Sequence, residues 1–243
     1  PNGATTMILF HQFYDQTSST LTYLLADPIS GDAVVIDSVK EHMGAYLSFL
    51  QEQELSLAWV LETHIHADHI TGAAGLRELT GARSAMGRNS AAGCADRLLG
   101  EGDTVVFGNH VIRVIPTPGH TPGCVTYQWR DRLFTGDALL IGGCGRTDFQ
   151  GGDAGQLYDS VTERLFTLPE ETLVYPAHDY HGARVSCIKK KKDLNPRFAG
   201  HNRQSFIDLM GSLNLPRPEM MDEALPANMN CGNGRPQKNF HGV

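Results

Sequence analysis

The 243-residue chain has no Cys-x-x-C pair, no long apolar run, no excess of positive charge and no internal repeat. Each absence removes a class of function. The five cysteines, Cys94, Cys124, Cys144, Cys187 and Cys231, are odd in number and widely spaced. They form no pattern of structural zinc or of a redox pair, and a reducing, cytoplasmic compartment is expected. The longest apolar runs, such as Ala138-Leu139-Leu140-Ile141, fall far short of the ~20 residues of a spanning helix, so no membrane partner is expected. No basic segment followed by a long apolar stretch opens the chain, which argues against an export signal. The formal net charge of −7 has the wrong sign for a nucleic-acid partner. The one concentrated basic run, Lys189–Lys192, reads as a solvated helix face.

What is present has the balance of a globular chain, 41% apolar and 19% charged, with enough apolar residues for a sizeable core. Met7–Tyr14, Thr20–Ala26 and Ala33–Asp37 read as strands, the last two joined by a turn at 27–32. Met43, Tyr46, Leu47 and Leu50 recur at helical spacing and predict a helix over His42–Gln53. A strand over 57–63 follows, then a helix over Ile70–Thr80 that Gly81 terminates, then a short strand at Ser84–Met86. Strands return at Thr104–Phe107, His110–Ile115, Cys124–Trp129 and Leu133–Thr135, with turns at Gly108-Asn109 and Arg130-Asp131. Leu157–Thr167 reads as a helix, Thr172–Tyr175 as the last strand, and Arg203–Ser212 as a helix in a tail richer in Pro, Asn and Gly. We expect one domain over residues 1–243 with a short C-terminal extension from about residue 194. Its two strand-rich halves would pack face to face beneath outer helices, an α/β sandwich.

The segment His64-Ile65-His66-Ala67-Asp68-His69 packs three imidazoles and one carboxylate into six residues. In an extended chain, side chains two apart share a face, so His64 and His66 can converge at the end of the 57–63 strand. Core histidines make one or two hydrogen bonds, whereas three of them around an aspartate call for an electrophile, and the segment reads as a metal site. His120, Asp137 and His178 each follow a predicted strand in the same way. Residues at one rim of a rigid sheet are where sites are built. Spacing alone leaves open whether these residues hold two hydrolytic ions or one ion with open positions.

The order His64-x-His66-x-Asp68-His69, then His120, Asp137 and His178, resembles the metallo-β-lactamase superfamily over roughly residues 7–200. That resemblance implies a four-layer αβ/βα sandwich with its metal site at one edge. Thr63–Gly72 (THIHADHITG), Gly143–Gln150 (GCGRTDFQ) and Leu194–Arg197 (LNPR) are similar to persulfide dioxygenases within it. This second resemblance implies one Fe(II) per chain, with His64, His120 and Asp137 as its ligands and the centre of catalysis. His66, Asp68, His69 and His178 would then support those ligands and line a vacant second site, with Asp37 a further supporting candidate. The implied substrates are glutathione persulfide, O₂ and water, and the products sulfite and glutathione. Glutathione's two carboxylates call for guanidinium or hydroxyl partners, and Arg146, Tyr180 and Arg197 are the candidates. Cys231 is placed as a residue reaching the site from the tail, and Cys144 as structural. Glyoxalase II, a glutathione thioester hydrolase with two metal ions, shares the Gly-Cys-Gly-Arg motif and is the alternative. It carries a longer helical C-terminal domain, whereas about fifty residues follow Asp193 here. A non-catalytic metal-binding sensor is a remote alternative, and a homodimer is left open.

Overall fold

The computed structural model describes residues 8–233; Met7, placed above in the first strand, lies outside them. Two six-stranded sheets pack face to face. The first holds β1 (Leu9–Asp15), β2 (Thr20–Ala26), β3 (Asp32–Ile36), β4 (Ser56–Leu61), β5 (Arg83–Gly87) and β6 (Arg97–Leu99), in that order. The second holds β7 (Thr104–Phe107), β8 (His110–Pro116), β9 (Val125–Trp129), β10 (Arg132–Gly136), β11 (Leu173–Pro176) and β12 (Ser186–Cys187), each beside the next.

The period-2 alternation of the strands builds three cores at once. In β2, Leu21, Tyr23 and Leu25 face the core between the sheets, while Leu24 and Ala26 face outward. Those outward residues pack with Tyr46 and Leu50 of α1 (Met43–Glu52) and Leu76 of α2 (Ala73–Thr80). On the far side, Leu133 and Val174 pack with Leu157 of α3 (Ala154–Asp159) and Phe206 and Met210 of α5 (Arg203–Gly211). The result is helix, sheet, sheet, helix, the four-layer sandwich that the resemblance implied.

Several boundaries differ from the sequence reading. α2 starts at Ala73 rather than Ile70, because Ile70 gives its carbonyl to the Lys40 N–H and Thr71 bridges to Val39. Gly81 ends it as expected, in the left-handed conformation with its N–H on the Arg77 carbonyl. The helix expected at Leu157–Thr167 begins earlier, capped by Asp153 on the Gln156 N–H, and widens to a π turn over Ser160–Leu165. β6, β12 and α6 (Met221–Asn228) have no counterpart in the reading; the two strands are very short, and Pro226 sits inside α6. The lysine run lies on α4 (Ile188–Leu194), but Lys191 is buried there and gives its ammonium to the Ile141 carbonyl. Cys94 and Cys231 form a disulfide across 137 residues of sequence. The long separation hid this pair, and the bond withdraws the premise on which a reducing compartment was expected.

Candidate metal centre

The rims of the two sheets meet at one end of the sandwich. There the Leu21 N–H bonds the Ala177 carbonyl at 2.7 Å and the Val125 N–H bonds the Thr63 carbonyl at 2.9 Å. His64, His120, Asp137 and His178 follow β4, β8, β10 and β11 respectively, so their loops converge on that junction. Gly136 permits the crowding: it has φ +54°, and a Cβ there would lie 2.6 Å from the Thr63 hydroxyl.

His64, His120 and Asp137 form one group, and the hydrogen bonds behind them fix where their lone pairs point. Thr63 Oγ1 donates to Asp37 Oδ2 at 2.8 Å, so its oxygen can only accept from His64 Nδ1, at 3.0 Å. His120 Nδ1 donates to the Arg146 carbonyl at 2.7 Å. Both rings therefore carry their proton on Nδ1 and a bare lone pair on Nε2. The two Nε2 atoms lie 3.8 and 3.6 Å from Asp137 Oδ2, too far for hydrogen bonds yet directed toward one space. Asp137 stays ionised: burial would raise its carboxyl, but His178, His64 and His120 hold it well below the usual range. Burial, with help from His66, keeps His64 neutral. Two imidazole Nε2 atoms and one carboxylate oxygen aimed at a shared space fit a single divalent ion that retains open positions.

His66, Asp68, His69 and His178 form a second group, with one imidazole more and opposite character. His178 donates through both nitrogens, Nδ1 to Asp137 Oδ1 at 2.7 Å and Nε2 to Asp68 Oδ2 at 2.8 Å. Against its burial, those two carboxylates hold the ring well above the usual imidazole range. It is an imidazolium with no lone pair to give. Asp68 Oδ2 also meets Thr20 Oγ1 at 3.2 Å and His69 Nδ1 at 3.1 Å, while His69 Nε2 reaches the Ser38 carbonyl at 3.2 Å.

His66 faces Asp68 with Nδ1, at 3.8 Å from Oδ1, and a buried acid pair with Nε2. Its Nε2 lies 3.1 Å from Asp37 Oδ1 and 3.5 Å from Glu62 Oε2, ion-pair distances off the hydrogen-bond axis. Burial opposes its charge, but Asp37, Asp68 and Glu62 hold it at about 9. Glu62 is pushed up to about 8 by burial and Asp37, against the pull of His66. Asp37 thus grips Thr63 and His66 together, and its buried position with φ +55° lets one carboxylate do both. Thr20 and Glu62 were not singled out from sequence, and Thr63 only as the first residue of the Thr63–Gly72 motif; Glu62 and Thr63, just before His64, were within reach of a local reading.

A cavity of about 820 Å³ opens over the first group. His64, His120, Asp137, Asp68 and His178 floor it; Leu140, Cys144, Leu215, Pro216 and Met220 line its walls. Arg197 enters with a guanidinium that has no hydrogen-bond or ion-pair partner among the described residues, and Tyr180, 65% exposed, stacks on His178 at 6.2 Å. Arg146 lines the same cavity with its donors largely committed. It forms a fork on Asp148 at 2.7 and 2.8 Å and reaches the Pro216 and Leu215 carbonyls at 2.6 and 3.3 Å. It pins the 215–216 wall rather than presenting a free fork. Cys231 does not reach the cavity: it is buried and bonded to Cys94. Cys144 does line it, and burial pushes its thiol up to about 12. Arg217 and Glu219, missed from sequence, stand at the mouth, with Arg217 paired to Asp222.

Residues 16–178 match the metallo-β-lactamase superfamily model. The chain is 48% identical to human "Persulfide dioxygenase ETHE1, mitochondrial", over 95% of this chain and 91% of that protein. It is 49% identical to the mouse protein of the same name, over 93% and 89%. A crystal structure of ETHE1 from Myxococcus xanthus superposes with a TM-score of 0.91 at 51% identity, covering 93% of this chain and 100% of that one. With its ligand order, its four-layer architecture and these likenesses, the chain belongs to the metallo-β-lactamase superfamily and, within it, to the persulfide dioxygenases.

Proposed function

We propose that this protein oxidises glutathione persulfide with O₂ and water to sulfite and glutathione, using one Fe(II) held by His64, His120 and Asp137. The contrast between the two ligand groups carries the reading. One group presents two bare Nε2 atoms and a carboxylate oxygen to a shared space, whereas in the other both nitrogens of His178 are engaged, by Asp137 and Asp68. Two histidines and one carboxylate with open positions are the set suited to non-haem iron and O₂. The ETHE1 relatives support the persulfide substrate.

Iron held there would supply the electron chemistry that O₂ requires. The chain's own residues supply the rest. Thr63 and the Arg146 carbonyl hold the imidazole tautomers, and His178 holds Asp137 from behind. Leu140, Leu215 and Met220 give the cavity an apolar wall. Arg197, without a partner for its guanidinium among the described residues, is the cation for a glutathione carboxylate, and Tyr180 offers a hydroxyl in the same cavity. The test is an oxygen electrode with sulfite assay: one O₂ consumed per sulfite released from glutathione persulfide, with no hydrolysis of a glutathione thioester. Thioester hydrolysis without O₂ uptake would overturn the reading in favour of the dinuclear hydrolase.

A further inference from the structure

The residues that hold the metal-bearing loop in place come partly from a distant segment. Residues 62–72, between β4 and α2, carry His64, His66, Asp68 and His69 without a regular ladder of their own. Buried backbone groups must be satisfied somewhere, and here the partners come from outside. The Glu62 carbonyl accepts from the Tyr127 hydroxyl, that of Thr63 from the Val125 N–H, and that of Ile65 from Gln150 Nε2. Asn228, at the end of α6, makes three such bonds by itself. Its Nδ2 donates to the His66 carbonyl at 2.9 Å and the His69 carbonyl at 2.8 Å, and its Oδ1 accepts the Thr71 N–H at 2.9 Å. The amide is 2% exposed, so its bonds are not shared with water.

The geometry of these bonds uses the whole amide. Both N–H donors and the carbonyl are engaged, a pattern that neither Asp nor Gln reproduces at that position. The two carbonyls bracket Asp68, so Asn228 sets the path of the chain from the ligand-bearing end of β4 to the mouth of α2. The segment that carries it is docked in turn. The Ala74 N–H bonds the Cys231 carbonyl at 2.9 Å, and the Cys94–Cys231 disulfide ties the segment to the stretch before β6. Gly232, at φ +87°, lies so near the Thr71 carbonyl that a Cβ would sit 2.1 Å from it. Asn228 does not line the cavity.

We propose that Asn228 is a positioning residue for the metal centre, acting through the backbone of the 62–72 loop, with the Cys94–Cys231 disulfide as its tether. The inference rests on that loop supplying a metal ligand. It goes beyond the proposed reaction by assigning the end of α6, which does not line the cavity, to the metal site.

The experiment loads the full chain anaerobically with Fe(II) or Co(II) and measures affinity by chelator competition, the Co(II) ligand-field spectrum, and kcat against KM. Asn228→Ala should weaken metal affinity and lower kcat about 10- to 100-fold, the usual cost of losing a group that orients ligands, with KM for glutathione persulfide little changed. The Co(II) spectrum should shift. Asn228→Asp, which keeps the acceptor for Thr71 but turns oxygen toward two carbonyls, should be at least as damaging. A purely structural role predicts a lower Tm with wild-type metal affinity and spectrum, and that result would overturn the inference. Should Asn228→Ala fail to fold, the near-isosteric Asn228→Asp decides by the same two readouts. A Cys94→Ser/Cys231→Ser protein should show the same spectral shift in smaller degree. Wild-type chain that takes up neither metal would refute the metal reading itself, whereas wild-type binding matched by both Asn228 variants would refute only this assignment.

Discussion

Two clusters of nearly identical composition share one sheet rim. His64, His120 and Asp137 differ from His66, Asp68, His69 and His178 in where their protons go. In the first, a threonine hydroxyl and a backbone carbonyl take the Nδ1 protons and leave Nε2 free. In the second, carboxylates take both protons of His178, and a buried acid pair draws His66 aside. Ligand content does not make a metal site; lone pairs aimed at a shared point do. The second cluster instead fixes the first, because His178 grips the Asp137 oxygen that does not face the histidines.

The sharpest way to break this contrast is to remove one member of the open group. His120→Ala should abolish both iron binding and persulfide-dependent O₂ uptake, since a three-ligand site has no spare donor; metal analysis and an oxygen electrode check it. Retained iron with full activity would dissolve the distinction. Arg197→Ala should cost about 10- to 150-fold in kcat/KM for glutathione persulfide, the worth of a charge-assisted hydrogen bond of roughly 1.5–3 kcal/mol. A small persulfide without the remote carboxylates should hardly notice the change, and equal losses on both substrates would show that Arg197 supports the fold. In the self-paired group, Asp68→Ala and His69→Ala should keep iron and lose about 10- to 100-fold in kcat. Loss of all metal in either variant would make the second cluster a true ligand set.

The smallest effect concerns charge beneath His66. Glu62, raised to about 8, contributes stability that is full below its ordinary value of 4.5 and lost as pH rises through about 8. His66, raised to about 9, acts in the same direction, full below 6.5 and lost through about 9. Metal-free protein should therefore lose Tm between pH 7 and 9, and Glu62→Gln should lose less. Parallel slopes in the two proteins would mean that Glu62 is not the buried acid described.

The sequence was legible where periodicity and local motif coincide. Thr20–Ala26 read as a strand, and the structure makes it one, with Leu21, Tyr23 and Leu25 on one face and Leu24 and Ala26 on the other. His64, His120, Asp137 and His178 could be placed at strand ends because each follows an apolar run. Long-range partners left no such trace. Thr20 reaches Asp68, His69 and His178 from a different strand, and Asn228 reaches His66 across 162 residues. Arg146 looked like a substrate clamp because its type suits carboxylates, but Asp148, two residues on, takes the fork. Cys231 was expected to reach the site from the tail, but it is bonded to Cys94, 137 residues away.

The central claim is that only the open group holds metal. It is tested most directly by metal analysis of wild-type chain purified without oxygen. This account predicts close to one iron per chain, bound tightly enough to survive gel filtration. About two zinc-like ions per chain would contradict it, because among the described residues a second ion would need His66, Asp68, His69 and His178, or Asp37, Glu62 and His66, to give up the contacts described above.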